Sequence, residues 1–363
     1  MNNVIIEDAI QKKLFSGCTV GFFNGNTQQV CCFGERNLGG GALKMRHDAL
    51  FDIASLTKIF TFAGILSLVD RGTLSLDDRV TKFLPFEQGG DIQKMTLRHL
   101  LSCGLDFVFS EEVEKHGIHL ADAKGNLLVY KCAKLRAPLG TMFRYGNPSA
   151  FFAGEVLRTV TKKSFDKALY ELVLEPIGME DTSFSVSPDR LIRIVPSQTI
   201  KTNQWQFQGD VQDPMSLAFK RPVGIAGLFS SIYNMVLGVR MLAANTTLYG
   251  VPFLSERLWR EMVSDQHVGK TYDGIVHRYA LGIDMPSPDY VRDPFFCKNG
   301  LIMSGASGPY LFACPSWHRN NLPPRPVGGV ILLHGNRRVP DIKTKLKAFR
   351  RAFLQSCLDS ITE

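Results

Sequence analysis

A serine and a lysine stand three residues apart in FDIASLTKIF, at the start of a segment that is otherwise almost entirely apolar. On a helix, positions i and i+3 share one face about 5–6 Å apart, so a lysine amine there could accept a proton from a serine hydroxyl. A serine at a helix start also lies near unpaired backbone N–H groups, which stabilise a developing anion. Ser55 could therefore be a nucleophile with Lys58 as its base. The alternative is a helix cap followed by a lysine that extends to solvent.

The spacing alone is a weak signal, because Ser164 and Lys167 repeat it in the polar segment VTKKSFDKAL. The two pairs differ in their surroundings. Lys58 lies in a helix, predicted from Ser55 to about Val69, that has almost no polar face and is therefore expected to be buried on all sides. Burial lowers the pKa of a lysine, as a basic role near neutral pH requires. The setting favours the first pair.

Two further segments could complete such a site. Tyr145-Gly-Asn147 is the only Tyr-x-Asn in the chain; a phenol can share a proton with a lysine, and an amide can orient a substrate. Its structural alternative is a turn in which Asn147 caps a helix and Pro148 occupies the first helical position. The small residues of IMSGASG, Ile302 to Gly308, could place a second backbone N–H beside that of Ser55 as an oxyanion donor. A glycine-rich bulge is the alternative for this segment.

Composition indicates a globular protein with a substantial core. The chain has 363 residues, of which 45% are hydrophobic and 21% charged, enough for two domains. No apolar run approaches the roughly 18 residues of a membrane span, and Glu7 and Asp8 interrupt the start, so no export signal is expected. We expect a cytoplasmic location, or a periplasmic one if a leader has been removed. The eight cysteines form no C-x-x-C pair, which argues against a zinc knuckle and favours reduced thiols.

The net charge of +8 is concentrated in the C-terminal segment IKTKLKAFRRAFLQSCL. Its helical periodicity predicts an apolar face and a basic face. The favoured interpretation is a terminal helix that lies on a sheet with its basic face in solvent, and an anionic partner is the alternative. A nucleic-acid role is not expected, because aromatic residues do not alternate with the basic ones elsewhere. The apolar face contains Ile342, Leu346, Phe349, Phe353 and Leu354, and the basic face Lys343, Lys347, Arg350 and Arg351.

The order of elements predicts a discontinuous domain. The helix-like EDAIQKKLF precedes a predicted hairpin, CTVGFFNG and TQQVCCFGE, and β-like segments return near the end as YALGIDM, GPYLFAC and VGGVILL. Helix-like segments separated by Pro and Gly occupy the middle. We therefore predict a sheet domain from 1–74 and 255–363, a mainly helical domain over 75–254, and an active site in the cleft between them.

In this order, the three motifs resemble those of the serine β-lactamase, penicillin-binding protein and esterase superfamily, specifically its class C β-lactamase-like branch. MTLRHLLS, LEPIGMEDTSF, GIAGLFSSIYNM and VILLHGNRR are similar to further family segments, so the resemblance covers nearly the whole chain. It implies an α+β fold, in which an antiparallel sheet is flanked by helices and a helical domain is inserted. It also implies a mechanism without metal or cofactor.

The resemblance assigns a role to each site residue. Ser55 would be the nucleophile, Lys58 the base, Tyr145 the proton shuttle and Asn147 a positioning amide. The N–H groups of Ser55 and Ala306 would form the oxyanion hole, beside the substrate-binding residues Ser304 and Gly305. Ser164 and Lys167 would lie on a peripheral helix at the surface.

One motif departs from the family pattern. The family's third motif usually begins with Lys or His, as in K-T-G, whereas Met303-Ser304-Gly305 stands here and a thioether cannot hold a carboxylate. The residues after the neighbouring strand could compensate: Asn336 could contact substrate and Arg337 or Arg338 could bind a carboxylate bidentately, with Lys298 a weaker candidate. LLSCGLDF also departs from the family's L-L-S-H-T-S-G-L.

These observations favour a serine hydrolase that forms an acyl-enzyme on Ser55, acting on a small ester or amide. The first alternative is a penicillin-binding DD-carboxypeptidase or class C-like β-lactamase, acting on D-Ala-terminated peptides or β-lactams. The second is a catalytically silent relative with a binding or regulatory role. Retention of all four polar site residues argues against the second alternative.

Overall fold

The computed structural model describes residues 3–25, 27–36, 43–86, 89–108, 129–130, 133–198, 205–206, 209–267, 271–272, 275–286, 298–318 and 323–360. The strands in these ranges are β1 Gly17–Asn24, β2 Thr27–Gly34, β3 Phe51–Asp52, β4 Phe107–Val108, β5 Lys134–Leu135, β6 Ser197–Gln198, β7 Trp205–Gln206, β8 Phe229–Ser230, β9 Thr271–Tyr272, β10 Ile275–Val276, β11 Leu301–Ser304, β12 Tyr310–Trp317 and β13 Arg325–Leu333. The α-helices are α1 Val4–Gln11, α2 Thr57–Asp70, α3 Leu97–Leu101, α4 Asn147–Thr161, α5 Phe165–Leu169, α6 Glu175–Ile177, α7 Pro214–Ala218, α8 Ile232–Ala244, α9 Glu256–Met262 and α10 Ile342–Asp359.

A five-stranded antiparallel sheet, ordered β11-β12-β13-β1-β2, joins the two ends of the chain. Side chains alternate between its faces, so Cys18, Val20 and Phe22 of β1 pack on one side. The opposite side receives α8, and glycine makes this contact possible: a Cβ on Gly21 would lie 2.3 Å from Val236. Helices therefore flank the sheet on both faces, which confirms the predicted fold class.

The C-terminal helix α10 covers the first of these faces together with α1. Phe349 packs edge-on against Phe15, and Phe353 against Phe312 of β12, with ring centroids 5.1 and 6.5 Å apart. The predicted apolar face of this segment is thus confirmed as the face that packs on the sheet.

Helix α2 is the centre of the second core. Its residues from Thr57 to Leu68 are all buried, as the sequence predicted. Gly64 lets α4 approach closely, since a Cβ there would lie 2.9 Å from Leu157. The contact of α8 with the sheet shows that one helix of the predicted helical range 75–254 packs on the sheet. The two-domain division itself stays a prediction.

The segment YALGIDM is not a regular strand, contrary to the sequence prediction. It forms isolated bridges, Tyr279 with Asp284 and Asp284 with Ile302. The reason lies at Gly282, whose φ of +97° turns the backbone inward, where a Cβ would lie 2.6 Å from Phe62. Packing against α2 therefore replaces a continuous ladder and directs Asp284 toward β11.

No helix in the described ranges is long and apolar enough to cross a membrane.

Candidate active site

Ser55 lies in a short 3-10 turn, Ala54–Leu56, between β3 and α2. The preceding residue, Ala54, has a φ of +49°, which is unfavourable for a residue with a Cβ. The buried Asp52 carboxylate holds this turn, because it accepts hydrogen bonds from the N–H groups of Ala54 and Gln212, each at 2.8 Å. Burial raises the pKa of Asp52 to about 6, and the two backbone bonds oppose that shift. The N-cap of this turn is Ile53 and that of α2 is Leu56, so the interpretation of Ser55 as a helix cap is wrong.

Lys58 is 1% exposed and its amine lies between two oxygen atoms. Its Nζ donates to Ser55 Oγ at 3.0 Å and to the carbonyl of Ile225 at 2.9 Å. Burial lowers the pKa of Lys58 to about 8, although the charges of Asp213 and Cys103 oppose the shift. A neutral Lys58 can donate one hydrogen to Ile225 and direct its lone pair at the Ser55 hydroxyl, as a base must.

Tyr145 lies over the same amine, with its ring centroid 5.6 Å from Lys58 Nζ. Although Tyr145 is 38% exposed over the whole residue, desolvation of its phenol raises its pKa above the usual range, and a hydrogen bond with Ser55 opposes the shift. Its phenol is therefore protonated near neutral pH, which suits it to donate a proton rather than to accept one.

Asn147 begins a helix and donates a hydrogen bond to Met215. It is the first residue of α4, Gly146 is the N-cap and Pro148 follows Asn147 inside the helix, so the prediction of Asn147 as cap is wrong by one position. Its Nδ2 donates a weak bond to Met215 Sδ at 3.9 Å. Within the described ranges, Asn147 forms no hydrogen bond to Ser55 or Lys58.

The segment after β11 approaches the Ser55 turn so closely that a side chain in place of Gly305 would be crowded. A Cβ on Gly305 would lie 3.0 Å from the carbonyl of Ile53 and 3.1 Å from the Ala54 Cβ. This contact places Ala306 beside Ser55 on one pocket wall. The backbone N–H groups of Ser55 and Ala306 donate to no other described residue, so both are available to an oxyanion.

Arg350 of α10 forms hydrogen bonds to the backbone of this segment. Its Nη2 donates to the carbonyls of Gly305 at 2.9 Å and Gly308 at 2.8 Å. The sequence placed Arg350 only on a basic helix face, because helical periodicity does not reveal which loop lies under a side chain. The C-terminal helix thus supports the candidate oxyanion hole.

A pocket of about 510 Å³ opens above Ser55 and carries charges of both signs. Arg337 is half-buried, and within the described ranges its guanidinium forms no hydrogen bond or ion pair; burial lowers its pKa. Lys343 and Lys347 are exposed on the adjoining face of α10. The wall is formed by Ser55, Tyr145, Asp284, Ile302, Met303, Ser304, Gly305, Ala306, Tyr310, Arg337, Lys343, Leu346, Lys347 and Arg350.

Other sequence candidates lie elsewhere. Asn336 does not line this pocket: its amide donates to the carbonyl of Lys13 and accepts from the N–H of Arg338, and its substrate contact stays a prediction. Arg338 and Lys298 are exposed outside the pocket wall. Ser164 and Lys167 are exposed on a peripheral helix, as predicted. Sequence reasoning missed Asp52, which lies in FDIASLTKIF three residues before Ser55, and Asp284, a single carboxylate in the segment YALGIDM.

Comparison with known proteins bears on the family and the fold of the chain. The Beta-lactamase family model matches residues 5–349. Uncharacterized protein MT1414 of Mycobacterium tuberculosis is 26% identical over 386 residues, covering 96% of this chain and 92% of that protein. The solved structure of the β-lactamase/D-alanine carboxypeptidase from Pseudomonas syringae is similar to this chain with a TM-score of 0.73 at 16% identity. The match covers 99% of this chain and 98% of that chain. EstCE1, a hydrolase with promiscuous acyltransferase activity, has a TM-score of 0.74 at 18% identity, covering 96% of both chains. The two structures establish a shared fold.

Proposed function

The chain belongs to the beta-lactamase family, and we propose that it is a serine acyl hydrolase in which Ser55 attacks the carbonyl of an ester or small amide. The observation that carries the proposal is the buried Lys58 amine, 3.0 Å from Ser55 Oγ, in a pocket with two unpaired backbone N–H groups. A buried amine with a lowered pKa, next to a serine that follows the strained residue Ala54, argues against a catalytically silent protein.

The proposed reaction begins with neutral Lys58 accepting the Ser55 proton while Oγ bonds to the substrate carbonyl. The N–H groups of Ser55 and Ala306 would stabilise the oxyanion of the tetrahedral intermediate. Tyr145 would give its proton to the leaving oxygen or nitrogen and recover one from protonated Lys58, which yields the acyl-enzyme with Lys58 neutral again. Water then attacks the acyl carbonyl while Lys58 takes its proton, the bond from the acyl carbon to Ser55 Oγ breaks, and Lys58 returns that proton to Oγ as the acid leaves.

We further propose that the substrate carries an anionic group bound by Arg337, with Lys343 and Lys347 beside it. A half-buried guanidinium without a protein partner loses hydration, and a bidentate carboxylate would compensate for that loss. Met303 does not provide such a contact, since it is apolar and 2% exposed. The anion would therefore lie on the α10 side of the pocket.

The test of the nucleophile is intact-mass spectrometry after reaction with a fluorophosphonate and with a short-chain nitrophenyl ester. We expect one adduct on the wild-type protein and on Ser164→Ala, and none on folded Ser55→Ala. Equal labelling of Ser55→Ala would refute the assignment.

Arg337→Met tests the anion site. The side chain keeps much of its length but loses its charge, so kcat/KM for 3-carboxyphenyl acetate should fall about tenfold relative to phenyl acetate. Lys345→Met, an exposed change elsewhere on α10, is the matched control. Equal losses with both esters would remove Arg337 from substrate recognition.

An unpaired guanidinium also fits penicillins and D-Ala-terminated peptides, which carry a carboxylate, so a DD-carboxypeptidase or β-lactamase remains the second candidate. A labelled penicillin distinguishes the two: a covalent adduct on Ser55 supports this candidate, and no adduct at saturating drug removes it.

A further inference from the structure

We propose that Asp284 is a specificity-determining residue that binds a cationic group in the leaving portion of the substrate. Together with Arg337 it would select a zwitterionic ester or amide. The inference rests on the proposed function, because it requires turnover at Ser55. It adds a second charge, of opposite sign, to the substrate class.

Asp284 reaches the pocket because its backbone joins the outer edge of β11. The N–H of Ile302 donates to the Asp284 carbonyl at 2.8 Å, and the Asp284 side chain lines the pocket with Ser55 and Tyr145. Within the described ranges, the carboxyl forms no hydrogen bond and no ion pair. A partly buried carboxylate without a partner is unfavourable, so a cation from the substrate would relieve its lost hydration.

The two unpaired charges do not neutralise each other. Burial is the cause of the raised pKa of Asp284, about 7, and burial also lowers the pKa of Arg337. An ion pair between the two groups would lower the pKa of Asp284 and raise the pKa of Arg337, and both pKa shifts have the opposite direction. One pocket of about 510 Å³ therefore contains an uncompensated acid and an uncompensated guanidinium.

The position of Asp284 relative to Tyr145 indicates which part of the substrate it faces. Burial is the main cause of the raised pKa of Tyr145, and the charge of Asp284 adds to it, so the carboxyl lies within electrostatic range of the phenol. Tyr145 is the proposed donor to the leaving group. A cation near Asp284 would accordingly belong to the leaving portion, while Arg337 holds the anion.

The experiment uses two nearly isosteric esters, cationic 3-(trimethylammonio)phenyl acetate and neutral 3-tert-butylphenyl acetate. Each kcat/KM is divided by the rate constant for hydroxide-catalysed hydrolysis of the same ester. We expect Asp284→Asn to lower the cationic-to-neutral ratio about tenfold, because the amide keeps the shape and loses the charge. Asp8→Asn, which changes an exposed carboxylate on α1, should leave the ratio at the wild-type value.

An unchanged ratio in folded Asp284→Asn, with neutral ester still hydrolysed, would overturn the role of Asp284 alone. Absence of hydrolysis together with no fluorophosphonate adduct on wild-type Ser55 would overturn the proposed function and this inference with it. If Asp284→Asn does not fold, phenyltrimethylammonium chloride is tested against hydrolysis of the neutral ester by the wild type. Competitive inhibition beyond that of sodium chloride supports the inference, and its absence contradicts it.

Discussion

The Lys58 amine is held between Ser55 Oγ and the Ile225 carbonyl in an apolar interior, and this setting determines the pH at which it can accept a proton. An ordinary lysine is almost entirely protonated at neutral pH. Burial lowers the pKa of Lys58 to about 8, so a useful fraction is neutral. The proposed base needs no neighbouring cation to acquire this property.

The first prediction concerns pH. With the pKa of Lys58 at about 8, the neutral, active form is favoured as pH rises. The kcat/KM for a neutral ester should therefore increase about tenfold from pH 7 to pH 9. Initial rates over this range, corrected for spontaneous hydrolysis, measure it. Burial raises the pKa of Asp284, in the same pocket, to about 7, so the increase in kcat/KM above pH 8 must persist in Asp284→Asn. A profile that falls above pH 7 would exclude Lys58 as the base.

The second prediction concerns Tyr145. Tyr145→Phe keeps the ring over Lys58 but removes the proposed proton donor, so kcat should fall about 10²- to 10⁴-fold. Steady-state kinetics with a poor leaving group measures the loss. Since a good leaving group needs less protonation, a nitrophenyl ester should be affected less. Tyr233→Phe, at an exposed position of α8, is the control. An equal loss with both leaving groups would argue against proton donation.

At the scale of elements, the turn between β3 and α2 depends on one carboxylate. Asp52 accepts two backbone N–H groups, and one of them belongs to Ala54, whose left-handed conformation aims Ser55 into the pocket. The strain at Ala54 is thus balanced by a buried polar contact that leaves Ser55 free for chemistry.

The third prediction tests this turn. Asp52→Asn has one carbonyl oxygen for two donors, so one buried N–H loses its acceptor at a cost of about 1–3 kcal/mol. We expect a lower urea midpoint and a lower kcat in the same variant. Asp8→Asn on α1, an exposed carboxylate paired with Lys12, should change neither. Full stability and full activity in Asp52→Asn would show that the turn holds without this contact.

The fourth prediction concerns the contact between α10 and the candidate oxyanion hole. Arg350→Ala removes the bonds to Gly305 and Gly308, so the Ala306 N–H loses its fixed position. We expect kcat to fall about 10- to 100-fold, because small displacements of catalytic groups lower kcat by factors of this size. Arg350→Lys should recover part of the loss, and Lys345→Ala should cause none. An effect confined to KM would indicate a role in substrate binding instead.

At the scale of the whole molecule, the positive charge is unevenly distributed. The chain carries a net charge of +8, and Arg337, Lys343, Lys347 and Arg350 gather on one side of the pocket. Such an arrangement attracts anions from solution. The range of this electrostatic attraction shortens as salt is added.

The fifth prediction follows from this field. Raising sodium chloride from low to about 0.5 M should lower kcat/KM for 3-carboxyphenyl acetate several-fold, while phenyl acetate is little affected. The double variant Lys343→Met and Lys347→Met should lower the salt dependence. A parallel decrease for both esters would point to a general salt effect on the protein.

The sequence by itself predicted the main helices and strands and the motifs of the candidate site. A nearly all-apolar segment predicted α2, helical periodicity predicted α10, short β-like apolar segments predicted β1, β12 and β13, and the motifs around Ser55, Tyr145 and Ser304 predicted one site. These signals are local, because each depends on spacing along a few turns or one strand.

Only the tertiary structure decided which distant residues meet. Arg350 under Gly305, the unpaired Arg337, Asp284 at the edge of β11, and the separation of Asn147 from Lys58 follow from packing between elements far apart in the chain. The same holds for YALGIDM, which has a β-like pattern but forms no regular strand, because Gly282 packs against Phe62 with a positive φ. Packing and partnering depend on the shape and charge of both contacting surfaces, which no spacing within one segment encodes.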